Sequence, residues 1–402
     1  MIKLKKPGLL PCIIFAIAAG IAAGFVSPDW LTRLFVTFNS IFSQFLGFVI
    51  PILILALVAP SIAEIGKGAG KMLLATALVA YFATVSSGLM SYFTGITFFP
   101  SLISPDQLNT VGPLSGNALT PYFSMTITPL MDVTSALILS FILGLGAASL
   151  KGDTMRQWLS DLREIIMMVI RNAIIPLLPL YIFGIFLSMT VSGEVASILT
   201  TFAKIIGIIF LMHIVLLLLQ YCVAALFSRH SRNPFKLLWT MLPAYFTALG
   251  TQSSAATIPV TLKNSIRTGV NADVAQFVIP LCATIHLSGS TLKIVACALA
   301  LMIMKGMPVD FASMFTFIAM LGITMVAAPG VPGGAIMAAL GVLSSILGFS
   351  DADNALMIAL YIAMDSFGTA CNVTGDGAIA IIIDRFFGKR VLTDATSSAE
   401  TE

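Results

Sequence analysis

Two carboxylates set in apolar sequence are the residues with the clearest chemistry. Asp365 and Asp376 both lie in the last long apolar stretch, where an ionised side chain is costly and is a functional candidate by default. They are eleven residues apart, three helical turns, so on an unbroken helix they share a face. Asp365 suits an ammonium group, because a buried carboxylate is stabilised by a mobile cation only while that cation is present. Thr369 and Asn372 lie between the two aspartates and offer a hydroxyl and an amide donor to a carboxylate. An Asp for ammonium and an Asn for carboxylate together read as an amino-acid site, whereas a plain dicarboxylate leaves Asp365 unpaired and repelled. Asp376 suits a coupling cation. Na⁺ is a hard ion that takes oxygens, and Asp376, Asn372 and unwound carbonyls near Ser288 can supply them. The structural alternative is that both aspartates serve buried cations or backbone donors.

Other polar groups interrupt apolar sequence nearby. Ser253 and Ser254 sit in Gly250-Thr-Gln-Ser-Ser-Ala-Ala-Thr-Ile-Pro259, where backbone N–H groups at a helix start favour an anion. His286, Ser288 and Ser290 form a second interruption, and Lys293 follows it. His286 has two readings, a hydrogen-bonded structural imidazole or a group that couples a proton. Lys293 either contacts a substrate carboxylate, substitutes for a bound cation, pairs with Asp365 between turnovers, or snorkels along its helix. A second ion is expected between the Ala328–Val331 region and Ser288–Ser290, held mainly by backbone oxygens. A hydrolase built on Ser253 or Ser254 with His286 is a competing class, but a third orienting residue is missing. The five cysteines lie in apolar runs without paired spacing and predict neither a disulfide nor a zinc site.

The elements that position these residues follow from composition. Of 402 residues 58% are hydrophobic and 10% charged, with a mean hydropathy of +1.01. That leaves too little polar surface for a water-facing body. The net charge of +3 is too small and scattered to suggest nucleic acid. Apolar runs at 8–27, 32–63, 71–98, 125–150, 163–191 and 196–227 predict spanning helices, with kinks at Pro51, Pro60, Pro176 and Pro179. The N-terminal run is too long for a cleaved leader and reads as a retained first helix. Basic residues alternate along the chain and place both termini in the cytoplasm. The segment 99–124 is predicted to be a polar external loop, and the tail from Val391 to be disordered.

Four interruptions follow Ser228. They are 250–259, 286–291, 328–334 and Asp365 through Asp376. Paired interrupted segments point to a transporter site near the midplane. Lys236 and Lys263/Arg267 both fall on the inside, so the chain between them enters and leaves one face as a re-entrant hairpin. Asp310 and Asp351/Asp353 flank a second, opposed hairpin on the outside.

Gln252-Ser-Ser-Ala-Ala-Thr-Ile-Pro-Val-Thr261, Gly330-Val-Pro-Gly-Gly334 and Asn372-Val-Thr-Gly-Asp376 resemble the dicarboxylate/amino acid:cation symporters, the glutamate-transporter homologues. The resemblance covers nearly the whole chain. It implies an all-α polytopic fold of eight transmembrane helices and two opposed re-entrant hairpins, assembled as a homotrimer in the cell (inner) membrane. It also implies an elevator motion of a transport domain (71–98 and 192–390) against a scaffold (1–70 and 99–191), with the tail at 391–402. Substrate contacts are implied at Ser253, Ser254, Ser290, Val331, Pro332, Gly333, Asp365, Gly368, Thr369, Asn372 and Lys293. Cation contacts are implied at Ser288, Asn372, Asp376, His286 and Ala328, with Tyr81 and Thr84 as remnants of a third ion site.

The departures from the family pattern narrow the reading. Where the family has Asn-Met-Asp-Gly-Thr, this chain has His286-Leu-Ser-Gly-Ser290, which removes a carboxylate and predicts fewer Na⁺ ions. Gly368 stands where acidic-amino-acid members have Arg, and Gln252 where an Arg is common. Both favour a neutral substrate such as serine, threonine or alanine. Lys293 stands where most members have Tyr, which keeps an acidic substrate open. The expected function is Na⁺-coupled amino-acid uptake with no other cofactor, the alternative being proton-coupled or acidic-substrate transport through His286 and Lys293.

Overall fold

The computed structural model describes residues 9–66, 70–103, 119–193, 195–326, 328 and 333–399. Among the described residues the regular structure is entirely helical. The first part of the chain forms α1 (Leu9–Gly24), α2 (Asp29–Gly66), α3 (Gly70–Phe98), α4 (Val133–Ser149), α5 (Thr154–Val169), α6 (Ile175–Val191) and α7 (Val195–Phe227). Six helical segments among the described residues are long and apolar enough to cross a membrane, and four apolar helices are shorter.

The prolines act unequally. α2 continues through Pro51 and Pro60. Between α5 and α6 the helix widens into a π-helical turn at Ile170–Ile174, immediately before Pro176 and Pro179. These prolines lack the N–H that would hold the carbonyls one turn back, so irregularity there is expected. Two predicted helix starts move. The fourth helix begins at Val133 rather than 125, because Asp132 caps it by accepting from the Ser135 N–H at 2.9 Å. The fifth begins at Thr154 rather than 163. Residues 119–132 are non-helical and lie along α2, where Arg33 Nε donates to the Thr120 carbonyl and the Tyr122 N–H donates to Thr37 Oγ1.

The later part consists of interrupted helices: α8 (Pro234–Thr251), α9 (Ser254–Arg267), α10 (Ala272–Ile285), α11 (Ser288–Met304), α12 (Phe311–Val326), α13 (Gly334–Leu347), α14 (Asp351–Ala363) and α15 (Asp365–Ala399). α8 packs on α9 across a tight turn in which Gln252 is left-handed at φ 54°. α12 packs on α13. α10 and α11 are separated by His286 and Leu287, as predicted. Val331 and Pro332 lie outside the described residues.

The fourth interruption differs from expectation. It is confined to Met364, and Asp365 to Asp376 is continuous helix. The Gly, Thr and Ser residues of this segment are buried against neighbouring helices, and that context overrides their weak helix propensity. The predicted disordered tail also departs, since α15 continues to Ala399.

Two groups of helices pack among themselves. α2 packs on α4, α5 and α6, and α1 packs on α6; α15 packs on α7, α8, α9, α10 and α11, and α3 packs on α11 and α12. Ser288 through Met302 of α11 are all buried, so this helix has no water- or lipid-facing side.

Candidate functional site

The first two turns of α15 form the centre of the site, because three helix starts come to them. The Gly333 N–H, where φ is +76° just ahead of α13, donates to Asp365 Oδ2 at 2.8 Å. At the α8–α9 tip, Gln252 Nε2 donates to Ser366 Oγ at 2.9 Å, and Ser253 Oγ caps α9 by accepting from Ala256 N–H. The start of α11 meets Asn372, whose Oδ1 accepts from the Gly289 and Ser290 N–H groups at 2.8 and 3.2 Å. Helix N-termini carry partial positive charge, so their convergence produces an environment for anions.

Asn372 is therefore a capping residue as well as a candidate ligand. Its Nδ2 donates to Ser290 Oγ at 3.0 Å, which in turn shares a hydrogen bond with Tyr361 Oη at 3.0 Å. One amide hydrogen of Asn372 is left over from these bonds. Gly289 permits the close approach of α11 to α15, since a Cβ there would lie 2.6 Å from Cys371 Cβ and 2.8 Å from the Gly368 carbonyl.

Lys293 is fully buried and reaches Asp365 Oδ1 at 3.2 Å. Of its sequence readings, pairing with Asp365 is the arrangement observed, and snorkelling is not. Thr369 is buried in the same stretch of α15. Deeper along α15, His286 Nδ1 lies 2.8 Å from Asp376 Oδ1, and both groups are buried. His286 therefore engages Asp376, one turn beyond Asn372, rather than Ser253 or Ser254. Ser288 is held twice: its carbonyl accepts from Ser87 Oγ at 2.8 Å and its hydroxyl from Gln220 Nε2 at 3.1 Å.

The more distant residues divide. Ala328 is buried, with its N–H on the Met325 carbonyl. The Thr84 hydroxyl is buried with no hydrogen-bond partner among the described residues, and Ser87 Oγ donates to the Thr84 carbonyl at 2.7 Å. Tyr81 points elsewhere, its hydroxyl donating to the Ala319 carbonyl of α12 at 3.2 Å.

Several participants were not selected from sequence. His213 Nε2 donates to the Gly289 carbonyl at 3.0 Å. Gln220 touches Ser288, and Tyr221 donates to the Thr374 carbonyl at 2.8 Å. His213 and Gln220 are seven residues apart in the apolar α7, so they share a face; that spacing was the available signal. Tyr361 also contributes, with its ring beneath Lys293 at 3.5 Å from the ammonium to the centroid.

The sodium:dicarboxylate symporter family matches the chain over residues 9–386. The chain belongs to that family. It is accordingly a multi-pass membrane transporter and not an enzyme, which removes the serine hydrolase reading. Similar proteins include the serine/threonine transporter SstT from three strains of Acinetobacter baumannii, each 28% identical over 394 residues, covering 94% of this chain and 97% of the relative. In this chain Asp365, Asn372 and Asp376 lie in one continuous helix, with a lysine ammonium against the first of them.

Proposed function

We propose that this protein takes up a small neutral amino acid, serine or threonine foremost, together with Na⁺. The observation that carries the reading is the convergence of the α9, α11 and α13 starts on Asp365–Asn372. The substrate ammonium goes to Asp365. Its carboxylate goes to the helix starts at Ser253, Ser254 and Ser290 and to the remaining amide hydrogen of Asn372, with the segment from Val331 through Pro332 to Gly333 as a further contact. Thr369 offers its hydroxyl, and Gly368 leaves the side-chain end without a fixed cation of its own. Similarity to the SstT proteins supports the choice of serine and threonine.

The residues fit Na⁺ by donor chemistry. Asp376, Asn372 and the Ser288 carbonyl are hard oxygens, and the Gln220 Oε1 is buried with no partner among the described residues. Bound there, the ion would supply charge to the end of the site opposite the substrate ammonium. Ala328 is taken as a backbone contact for a second ion, and Tyr81 is a poorer candidate because its hydroxyl is already committed to α12.

Eight transmembrane helices with two opposed re-entrant hairpins, α8–α9 and α12–α13, suit this role. In this reading residues 71–98 and 192–390 form a transport domain that moves as an elevator against a scaffold at 1–70 and 99–191. Packing is denser within each helix group than between them, where α13 meets α2 and α14 meets α6, and this supports that division. In the same reading the protein is a homotrimer in the inner membrane with cytoplasmic termini.

Uptake of labelled serine into proteoliposomes under an imposed Na⁺ gradient is the test. Uptake undiminished without Na⁺, and driven instead by a proton gradient, would overturn Na⁺ coupling and favour the His286 alternative. A second reading, transport of acidic amino acids or dicarboxylates, is favoured by the Lys293 ammonium lying against Gly368. In that case glutamate outcompetes serine, and Lys293→Met abolishes glutamate uptake.

A further inference from the structure

Lysine is almost never fully buried unless paired, and Lys293 has more than one partner. Its Nζ lies 3.2 Å from Asp365 Oδ1, 3.3 Å from the Met364 carbonyl and 3.5 Å from the Tyr361 carbonyl. The Tyr361 ring centroid is also 3.5 Å away. The two carbonyls belong to the C-terminal end of α14, the negative pole of that helix. The ring presents its electron-rich face. A carboxylate, a helix C-terminus and an aromatic face converging on one point make a site for a monovalent cation, and here the chain itself supplies the cation.

Gly368 is a condition of this arrangement. A Cβ at that position would lie 2.7 Å from Lys293 Nζ and 2.8 Å from its Cε. The other oxygen of Asp365 is taken by the Gly333 N–H. Both carboxylate oxygens are thus engaged, and the buried pair is neutral as a whole.

We propose that Lys293 is a tethered cation, filling from within the place beside Asp365 that a substrate amine or a small solution cation would otherwise occupy. An incoming amine reaches Asp365 by exchange with Lys293 and not by addition to it, because two positive charges in contact repel strongly where water is excluded. The displaced ammonium then needs an anion, which a zwitterion brings and a simple amine does not. Lys293 therefore selects amino acids over bare amines. This last step rests on the transport reading above, whereas the occupancy of the cation site by Lys293 does not.

The probe is methylammonium, with choline as a bulky control for ionic strength, titrated against full-length protein in lipid nanodiscs while the melting temperature is followed. Wild type should show no difference between the two salts. Lys293→Met should show a rise of several degrees specific to methylammonium, since ligand that binds the folded state stabilises it. Adding Asp365→Asn to Lys293→Met should remove that rise. A Lys293→Met variant as unresponsive as wild type overturns the proposal, as does a response that survives Asp365→Asn. If Lys293→Met does not fold in ordinary salt, recovery of folded protein on purification in methylammonium, but not in choline, supports it; recovery in neither overturns it. Failure of wild type to bind serine would count against the transport reading while leaving the methylammonium result intact.

Discussion

Replacing Asn372 by leucine tests whether the broken start of α11 depends on one amide. Leucine has a similar volume, so the change removes hydrogen bonds without opening a large cavity. The loss exposes two buried N–H groups, those of Gly289 and Ser290, which bond to Asn372 Oδ1 at 2.8 and 3.2 Å. An orphaned buried donor costs roughly 1–3 kcal/mol. The pair therefore costs ~2–6 kcal/mol, a large part of the ~5–15 kcal/mol that keeps a typical protein folded. Reversible denaturant unfolding in mixed micelles measures the difference. Thr369→Val is the control: Thr369 is also buried on the same helix, and that change is expected to stay within ~1 kcal/mol of wild type. If Asn372→Leu also stays within ~1 kcal/mol, the capping account of Asn372 is wrong.

Gly289→Ala should destabilise by ~1–3 kcal/mol through overpacking, because its Cβ would meet Cys371 Cβ at 2.6 Å; thermal melting reads this. Lys305→Met should cost about 1 kcal/mol or less, since Lys305 is about a third exposed in its 2.7 Å contact with Asp353. Asp353→Ala should cost more, ~1–2 kcal/mol in the same assay, because it also removes the capping box with Ser350 at the start of α14. Asp310, at the start of α12, is held below the usual carboxylate range by hydrogen bonds from Ser313. A depressed folded pKa means that its stabilising effect is complete above the unfolded value and is lost as pH falls through the folded one. The melting-temperature advantage of wild type over Asp310→Ala should therefore hold at neutral pH and vanish in acid; an advantage that persists in strong acid would refute this assignment.

Much of the fold was legible because burial in lipid punishes polar groups, so each exception had to carry meaning. Asp365, Asn372, Asp376 and the His286 interruption stood out for that reason, and the structure gathers them. The fourth interruption was misjudged because Gly, Ser and Thr weaken an isolated helix, while the buried surroundings of α15 hold one together. Ser366 and Tyr361 acquire their roles only when α8–α9 and α11 fold back onto α15, which no local spacing encodes. His213 and Gln220 were readable in principle from their shared face of α7, but solitary polar residues in long apolar helices commonly find only backbone partners. The ion pair of Lys293 with Asp365 was one of several readings; choosing it required the break at Met364, which orients Asp365 toward α11.

Ser87 and Ser91 of α3 donate to the carbonyls of Ser288 and Leu292 in α11, each at 2.8 Å and across 201 residues of chain. The consequence concerns biosynthesis. α3 leaves the ribosome long before its partner exists, and at ~5–20 residues per second the wait is on the order of 10–40 seconds. During that interval its serine face has to be satisfied by its own backbone, by lipid headgroups or by the insertion machinery. α3 thus enters the membrane as an early helix but meets its α11 partner late, so its pairing with α11 is a late step in assembly.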